Sequence, residues 1–278
     1  MISVVVPVFN TSEFLEKVIR SLQAQSGQVE AEMIFVDNGS TDGSREILEN
    51  HPDLRVIDEP ERGSYAARNA GLRMARGEII AFTDSDCYPR PDWLQTIRAG
   101  FESPTAQVLL GARVPEHSSV ALDLIADYEN TKSGFVCASD DPRVYCGHTN
   151  NMAVRREAWQ RCGPFLHRER GSDTIFVRRV AETFGCAAVA YDADMVVQHA
   201  ELNSIAAYYN KVRTYGRSRQ QYRHVTDVRP LSFAERWRVF RHATRNRGLL
   251  EAAFLMMLLG GGQVAWWLGE SSVDRNSR

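Results

Sequence analysis

The sequence predicts an α/β fold: a doubly wound, mixed and mainly parallel sheet with helices on both faces, extended at its C-terminal end by further helices. Three observations carry this expectation. Over the first hundred residues, β-branched apolar runs alternate with segments of helical periodicity. Several of those runs end in polar tips. After about residue 203 the pattern gives way to a basic, tyrosine-rich stretch and then to a nearly continuous apolar one.

The elements follow in order. "ISVVVPV" reads as a buried strand. Asn10, Thr11 and Ser12 are helix-start residues, and Phe14, Leu15, Val18, Ile19 and Leu22 follow at helical spacing. "AEMIFVD" is a second strand, "DNGSTDGS" a polar turn and "REILEN" a short helix. "LRVIDE" is a third strand. "SYAARNAGLRMA" is a helix with small residues on one face, and "EIIAFTD" is a fourth strand. Pro91 stands where a helix begins, continued by "DWLQTIRAGF". Such alternation means parallel strands joined by crossover helices. Residues 105–200 are mixed. "AQVLLGARV" is a strand, "VALDLIADYENTK" a helix, and "YCGHTNNMAVRREAW" a strand or loop entering a short helix. "SDTIFVRRVAETFG" is a helix with Ile175, Phe176, Val180 and Phe184 inward, and "AAVAYDADMVVQH" gives one or two strands ending at His199. The expected organisation is an α/β domain over 1–202, a basic helical region over 203–247, and an apolar helix with a disordered tail over 248–278.

Composition narrows the function classes. The chain has 278 residues, 44% hydrophobic and 24% charged, and is long enough to bury a sizeable core. Its net charge of −2 gives no global field for a nucleic acid partner. The five cysteines are odd in number and lack CxxC spacing, which argues against a disulfide framework or a zinc site and for reduced, cytosolic thiols. "MISVVVPVFN" has no basic n-region and its apolar run meets Pro7, so it does not read as a signal peptide.

In open parallel sheets, ligands bind outside the carboxyl ends of the strands. The first strand ends in Pro7–Asn10, the second in Asp37-Asn38-Gly39-Ser40, and the fourth in Asp84-Ser85-Asp86. These tips are expected on one sheet edge, with three aspartates sharing one cleft. An Asp-x-Asp after a buried strand has two readings. One is turn chemistry, in which Asp caps a helix or closes an Asx turn. The other is a hard divalent cation bridging carboxylates and a diphosphate. The company of Asp37 favours the second.

Four separated motifs occur in order: "VVVPVFN", "VDNGSTDGS", "GSYAARNAGLRMARGEIIAFTDSDCYPRPDWL" and "GHTNNMAVRREAW". Together they resemble family 2 glycosyltransferases of the GT-A fold over about residues 1–200. The resemblance implies a metal-dependent, inverting transfer from a nucleotide diphosphate-sugar, with Mg²⁺ or Mn²⁺ as cofactor and a UDP-sugar as the expected donor. Pro7, Val8 and Asn10 then border the nucleoside. Asp37 holds the nucleobase, with Asn38 beside it. Arg68 contacts the nucleotide, Asp84 with Ser85 approaches the ribose, and Asp86 holds the metal. Asp42 is read instead as a helix cap.

An inverting transfer needs a carboxylate to take the acceptor proton. The family places it in a Glu-Asp pair at a helix start, and "ERGSDTIFVRRV" matches with Asp173. Ser172 stands where Glu is common, which leaves Glu169 as a reserve; the plain alternative is that Ser172 and Asp173 only begin the helix. His199 is a candidate for the metal or diphosphate. Trp93 is expected to pack on the sheet, and His148, Thr149 and Asn150 to line the sugar or acceptor side.

Residues 249–268, "LLEAAFLMMLLGGGQVAWWL", are long enough to cross a bilayer core of ~30 Å. Glu251 and the Gly260-Gly261-Gly262 run with Gln263 weigh against a clean span. Arg229, Arg236, Arg238, Arg241, Arg245 and Arg247 before it, and Trp266 and Trp267 within it, fit a cytoplasmic membrane face. The expected function is therefore sugar transfer onto a glycan or glycolipid acceptor at that face, in cell-surface polysaccharide or glycolipid biosynthesis. The rivals are a non-catalytic sugar- or partner-binding protein on the same scaffold, and a nucleotidyltransferase. The latter usually carries a glycine-rich basic loop, which "PVFNTSEF" lacks.

Overall fold

In the computed structural model, which describes residues 1–167, 170–222, 227 and 229–274, eight strands form one sheet in the order β3-β2-β1-β4-β7-β6-β8-β5. Its first half is the predicted parallel unit. β1 (Ile2–Val8) lies between β2 (Ala31–Asp37) and β4 (Ile79–Thr83), and β3 (Arg55–Asp58) pairs with β2, all parallel. β1 is buried along its whole length, as its nearly continuous apolar run, broken by Ser3, requires. The crossover helices are α1 (Ser12–Gln23), α2 (Ser44–Glu49) and α3 (Ser64–Met74). On α1, Leu15, Val18, Ile19 and Leu22 are fully buried. At ~1.5–3 kcal/mol for each such side chain, burial rather than capping holds the helix. Thr11, the expected cap, makes no side-chain cap bond. The small face of α3 has a packing reason: a Cβ on Gly71 would stand 2.4 Å from Val5 Cγ1.

The second half is mixed. β6 (Val108–Pro115) and β7 (Asn151–Arg155) pair antiparallel, as do β7 and β4. β8 (Val189–His199) is a single strand parallel to β6, with a register shift between Gly111 and Ala112. β5 (Cys87–Pro89), which the sequence pattern does not reveal, pairs antiparallel with the end of β8 and sets Cys87 opposite His199. α4 (Trp93–Gly100), α5 (Val120–Cys137), α6 (Arg156–Cys162) and α7 (Ser172–Phe184) cover the faces. Trp93 is buried against the sheet as expected, and its Nε1 donates to Asn151 Oδ1 at 2.8 Å. Asn151 Nδ2 in turn donates to the carbonyls of Ala112 and Met195, spanning the irregular β6–β8 pairing.

The C-terminal part consists of α8 (Ile205–Tyr222), α9 (Phe233–Ala243) and α10 (Leu249–Asp274). The glycine run does not interrupt α10. Glycines instead admit α8: a Cβ on Gly269 would lie 2.0 Å from the Arg213 carbonyl oxygen, and one on Gly261 2.5 Å from Tyr209 Oη. Of the tail expected to be disordered, 270–274 continue α10, which packs on α8 at Gly269, and 275–278 lie outside the described residues. All five cysteines are free thiols.

Candidate functional site

The tips of β1 and β4 open on a cleft of about 1280 Å³. Pro7, Val8, Asn38, Arg68, Asp84, Ser85, Asp86, Asp173 and His199 all lie in its wall, so residues far apart in sequence meet as the parallel topology predicts. His148, Thr149 and Asn150 line it too. Asn10 and Asp37 are not in that wall. Asp37 Oδ1 accepts from the Ser40 amide at 3.1 Å. Asn10, at φ 52°, accepts from the Thr41 amide at 2.8 Å, tying the end of β1 to the turn after β2. Asp42 is a cap, as expected, but for two helices: its carboxylate accepts from the amides of Ser12 and Ser44.

Asn38 is a hub. Its Nδ2 donates to the carbonyls of Glu59 and Glu61, and its Oδ1 accepts from the Gly63 amide. It thereby fixes the loop that precedes α3, which carries Arg68. Arg68 is buried and pairs with Asp84, and its Nε has no hydrogen-bond partner.

Asp86 sits deeper. Burial, with Asp84 and Glu201 nearby, pushes its carboxyl up to about 7. His199 Nδ1 stands 3.5 Å from Asp86 Oδ2, buried and without a hydrogen-bond partner, while Lys211 Nζ on α8 is 2.8 Å from His199 Nε2. Burial lowers the His199 pKa well below its ordinary value, so the ring is neutral. Ligand atoms of Asp86, Cys87 and His199 all lie within 4.8 Å of one another. Burial pushes the Cys87 thiol well up, so it stays protonated and donates towards Asp86 Oδ1 at 3.5 Å. The available donors are therefore one carboxylate and one imidazole, a set that suits a divalent cation. An ammonium has only donors, so Lys211 leaves the ring proton on Nδ1. A cation at Nδ1 requires that proton to leave and Lys211 to turn away.

Asp173 begins α7 after Gly171, at φ 86°. Burial raises its carboxyl pKa, against hydrogen bonds from the Thr174 amide, Tyr65 and the Thr149 backbone and the charge of Arg68. Ser172 is buried and its Oγ accepts from the Leu166 amide at 2.5 Å, so it braces the preceding loop. The reserve candidate Glu169 lies outside the described residues.

Three contributors escaped sequence reading. Tyr65 reaches Asp173, and Lys211 enters from α8. Gly147 is the third: a Cβ there would lie 2.6 Å from the Asp173 carbonyl oxygen, so only glycine lets the 147–149 loop close on the start of α7. The "GHTNN" motif was the one available signal. His148 Nε2 is 3.1 Å from the Gly111 carbonyl and donates to it, and burial keeps that ring neutral.

Known proteins share this chain's sequence pattern and fold. The model for "Glycosyl transferase family 2" matches residues 3–162. Glycosyltransferase AglE of Haloferax volcanii is 29% identical over 198 residues, 69% of this chain and 64% of that protein. The chain thus spans less than two thirds of that relative's length. A mannosyltransferase, PcManGT from Pyrobaculum calidifontis, solved in complex with GDP-Man and Mn²⁺, superposes with a TM-score of 0.62 at 22% identity, covering 98% of this chain and 84% of its own. S. aureus TarS 1-349, solved in complex with UDP, superposes with a TM-score of 0.57 at 17% identity, covering 99% and 91%. These two likenesses establish the GT-A-type fold. With more than half its length matched by the family model, the chain belongs to glycosyl transferase family 2.

Proposed function

We propose that this protein moves a sugar, with inversion, from a nucleoside diphosphate sugar to an acceptor hydroxyl. The observation that carries the reading is the convergence of Asp84 and Asp86, from the tip of β4, with Asp173, from the start of α7, on one cleft. Asp173 takes the hydroxyl proton. The acceptor oxygen forms its bond to the anomeric carbon as the bond from that carbon to the diphosphate oxygen breaks. The electron pair leaves with the nucleoside diphosphate on the opposite face, which inverts the centre.

Asp86 and His199 hold the cation, Mg²⁺ or Mn²⁺. When bound, it supplies positive charge to the departing diphosphate. Asp84, oriented by Arg68, meets the ribose with Ser85, and Pro7 and Val8 border the nucleoside. Asp37, Asn10 and Asn38 act on the base side, where their bonds shape the loops around it. A uridine donor is favoured, supported by TarS with UDP; PcManGT with GDP-Man keeps guanosine as the comparison.

The acceptor is a glycan or glycolipid reached at the cytoplasmic membrane face. Among the described residues α10 is the one helix long and apolar enough to cross a membrane, yet one of its faces is committed to the protein through Leu255 and Leu258. Its other face exposes Leu249, Leu250, Met256, Met257, Val264, Trp267 and Leu268, which return to one side of the helix mainly at seven-residue steps. Beside it, α9 exposes Phe233 and Trp237, and its arginines suit anionic lipid. This favours a helix lying in the interface.

The test is thermal stability with UDP, GDP and their sugars, with and without Mn²⁺, beside Asp86→Ala. A ligand that binds the folded state raises stability by mass action. A Mn²⁺-dependent shift lost in the variant is expected. No shift with any nucleotide, in folded protein, transfers the case to the partner-binding rival.

A further inference from the structure

We propose that a second cavity, between α5, α8 and α10, receives the apolar chain of an amphiphile with an anionic head, and that the head then lies beside Asp173. Calling this ligand the acceptor rests on the transferase reading and requires a hydroxyl on its head beside the phosphate; its binding needs neither.

The cavity has a volume of about 470 Å³, within the range of small-molecule sites. Its inner wall is mainly apolar, with Ile125, Tyr208, Val212, Leu259 and Trp266 among the lining side chains and Gly262 between them. It is continuous with the catalytic cleft, since Arg113, Cys146, Thr174 and Lys211 line both. Thr174 follows Asp173 on α7, so whatever emerges from the cavity arrives at the proposed base.

The junction selects the head group. Arg113, Lys132 and Lys211 meet there, and Glu129 is the carboxylate among the side chains shared by the two spaces. Lys132 pairs with Glu129, and Lys211 Nζ lies 2.8 Å from His199 Nε2. Arg113 Nε is buried with no hydrogen-bond partner. The surplus is positive and contains an unspent guanidinium donor, which suits a phosphate oxygen.

The far wall explains how the chain arrives. Leu259, Gly262 and Trp266 of α10 face the cavity, while Met257, Val264 and Trp267 of the same helix are exposed and apolar. One helix therefore stands between the cavity and an apolar surface. A single-chain lipid phosphate fits both ends of this arrangement.

The probes are n-alkyl phosphates of four to twelve carbons, below their micelle concentrations, titrated calorimetrically without donor or metal. Affinity is expected to rise about fourfold per methylene until the cavity is full. Gly262→Leu fills the space from a position where a Cβ meets nothing nearer than 3.8 Å, at Tyr208. It is expected to weaken dodecyl phosphate at least tenfold and flatten the series; Leu259→Trp is the second filling variant. Val264→Leu, on the exposed face, leaves the series intact. Arg113→Gln reduces the preference for dodecyl phosphate over dodecyl maltoside and keeps the chain-length slope. UDP binding with Mn²⁺ reports folding and the donor site in each variant. A wild-type series independent of chain length, or full affinity in both filling variants, overturns the proposal. Equal binding of phosphate and maltoside by wild type removes the anionic head from it. A chain-length slope in wild type that binds neither UDP nor GDP with Mn²⁺ keeps the amphiphile site and defeats the transferase reading.

Discussion

Arg68, in the middle of α3, donates from Nη2 to the carboxylate of Asp84 at the tip of β4. The guanidinium is 4% exposed and the carboxylate 30%, so the pair joins a buried charge to one that looks into the cleft. Its role is to set Asp84 without spending all of its own donors.

Arg68→Met removes the ion-pair partner of Asp84 and leaves that carboxylate beside Asp86. A fully buried pair broken this way costs ~3–5 kcal/mol; with Asp84 partly solvated, about 1–3 kcal/mol is expected in urea denaturation. Nucleotide affinity is expected to fall at least tenfold. Arg68→Lys keeps charge but loses the fork, so it restores stability better than affinity. Nucleotide affinity unchanged in both variants takes Arg68 out of the site.

Asp173→Asn separates catalysis from binding. Transfer is expected to fall ~10²–10⁴-fold, the usual share of a general base, with nucleotide affinity within twofold of wild type. Stability moves the other way. The folded pKa of Asp173 is raised by burial, so the folded state binds its proton more tightly than the unfolded chain does. That stabilisation is complete below the unfolded value of ~3.9 and is lost as pH rises through the folded pKa. Asparagine has no proton to lose. The Tm of the variant relative to wild type is therefore expected to be flat in acid and to climb above about pH 4. A difference that does not change with pH contradicts the assigned burial of this carboxyl.

Much of this arrangement was legible in the sequence, and its limits have physical causes. The strands ending at Val8, Asp37 and Thr83 announce themselves by apolar runs over 4–8, 33–36 and 79–82, because the sheet buries most of both faces there. Parallel topology then places their tips together without knowledge of any side chain. β5 is three residues long and pairs with a strand more than a hundred residues away, so no local pattern marks it. Lys211 reads as one more charge on a basic helix, and only the packing of α8 brings it to His199. Asn38 and Gly147 sit in recognisable motifs, but what they do is loop closure, which depends on the backbone they meet. The end of α10 is a tertiary override: residues 270–274 of a polar tail continue the helix, which packs on α8 at Gly269.

Gly147→Ala tests that closure. The added methyl collides with backbone at the start of α7, not with a side chain that can turn aside. Displacing Asp173 by a fraction of an ångström misaligns the base, and errors of ~1 Å cost up to 10²-fold. The expected result is a kcat lowered at least tenfold with nucleotide affinity retained. Wild-type kcat with an unshifted Asp173 amide resonance rejects the contact.

Lys211→Met tests competition for the metal site. Lys211 is a cation 2.8 Å from the imidazole nitrogen opposite Nδ1, and its hydrogen bond holds the ring proton on Nδ1, where the proposed metal would bind. Without it, the ring is free to carry its proton on Nε2. Mn²⁺ affinity in the absence of nucleotide, read by the loss of free-ion electron paramagnetic resonance signal, is expected to tighten several-fold. Asp86→Ala abolishes it. Weaker Mn²⁺ binding in Lys211→Met shows that the lysine supports the ion rather than competing with it.

Membrane contact through α10 is tested on its exposed stripe, because deleting the helix would uncover α8 and the core around Leu255 and Leu258. Met257 is 64% exposed and Trp267 61%, so Met257→Glu with Trp267→Glu leaves the packed face untouched. Wild type is expected to float with vesicles containing anionic lipid. The double variant is expected to stay in solution while keeping its Tm and nucleotide affinity. The arginines of α9 add a salt-sensitive component, since each basic residue near an anionic surface contributes ~1 kcal/mol within a Debye length. Binding of wild type should therefore weaken on raising salt without vanishing, because the apolar stripe is insensitive to screening. A wild-type protein that ignores vesicles but sediments as a dimer, which the double variant dissociates, assigns the stripe to a second copy of the chain instead.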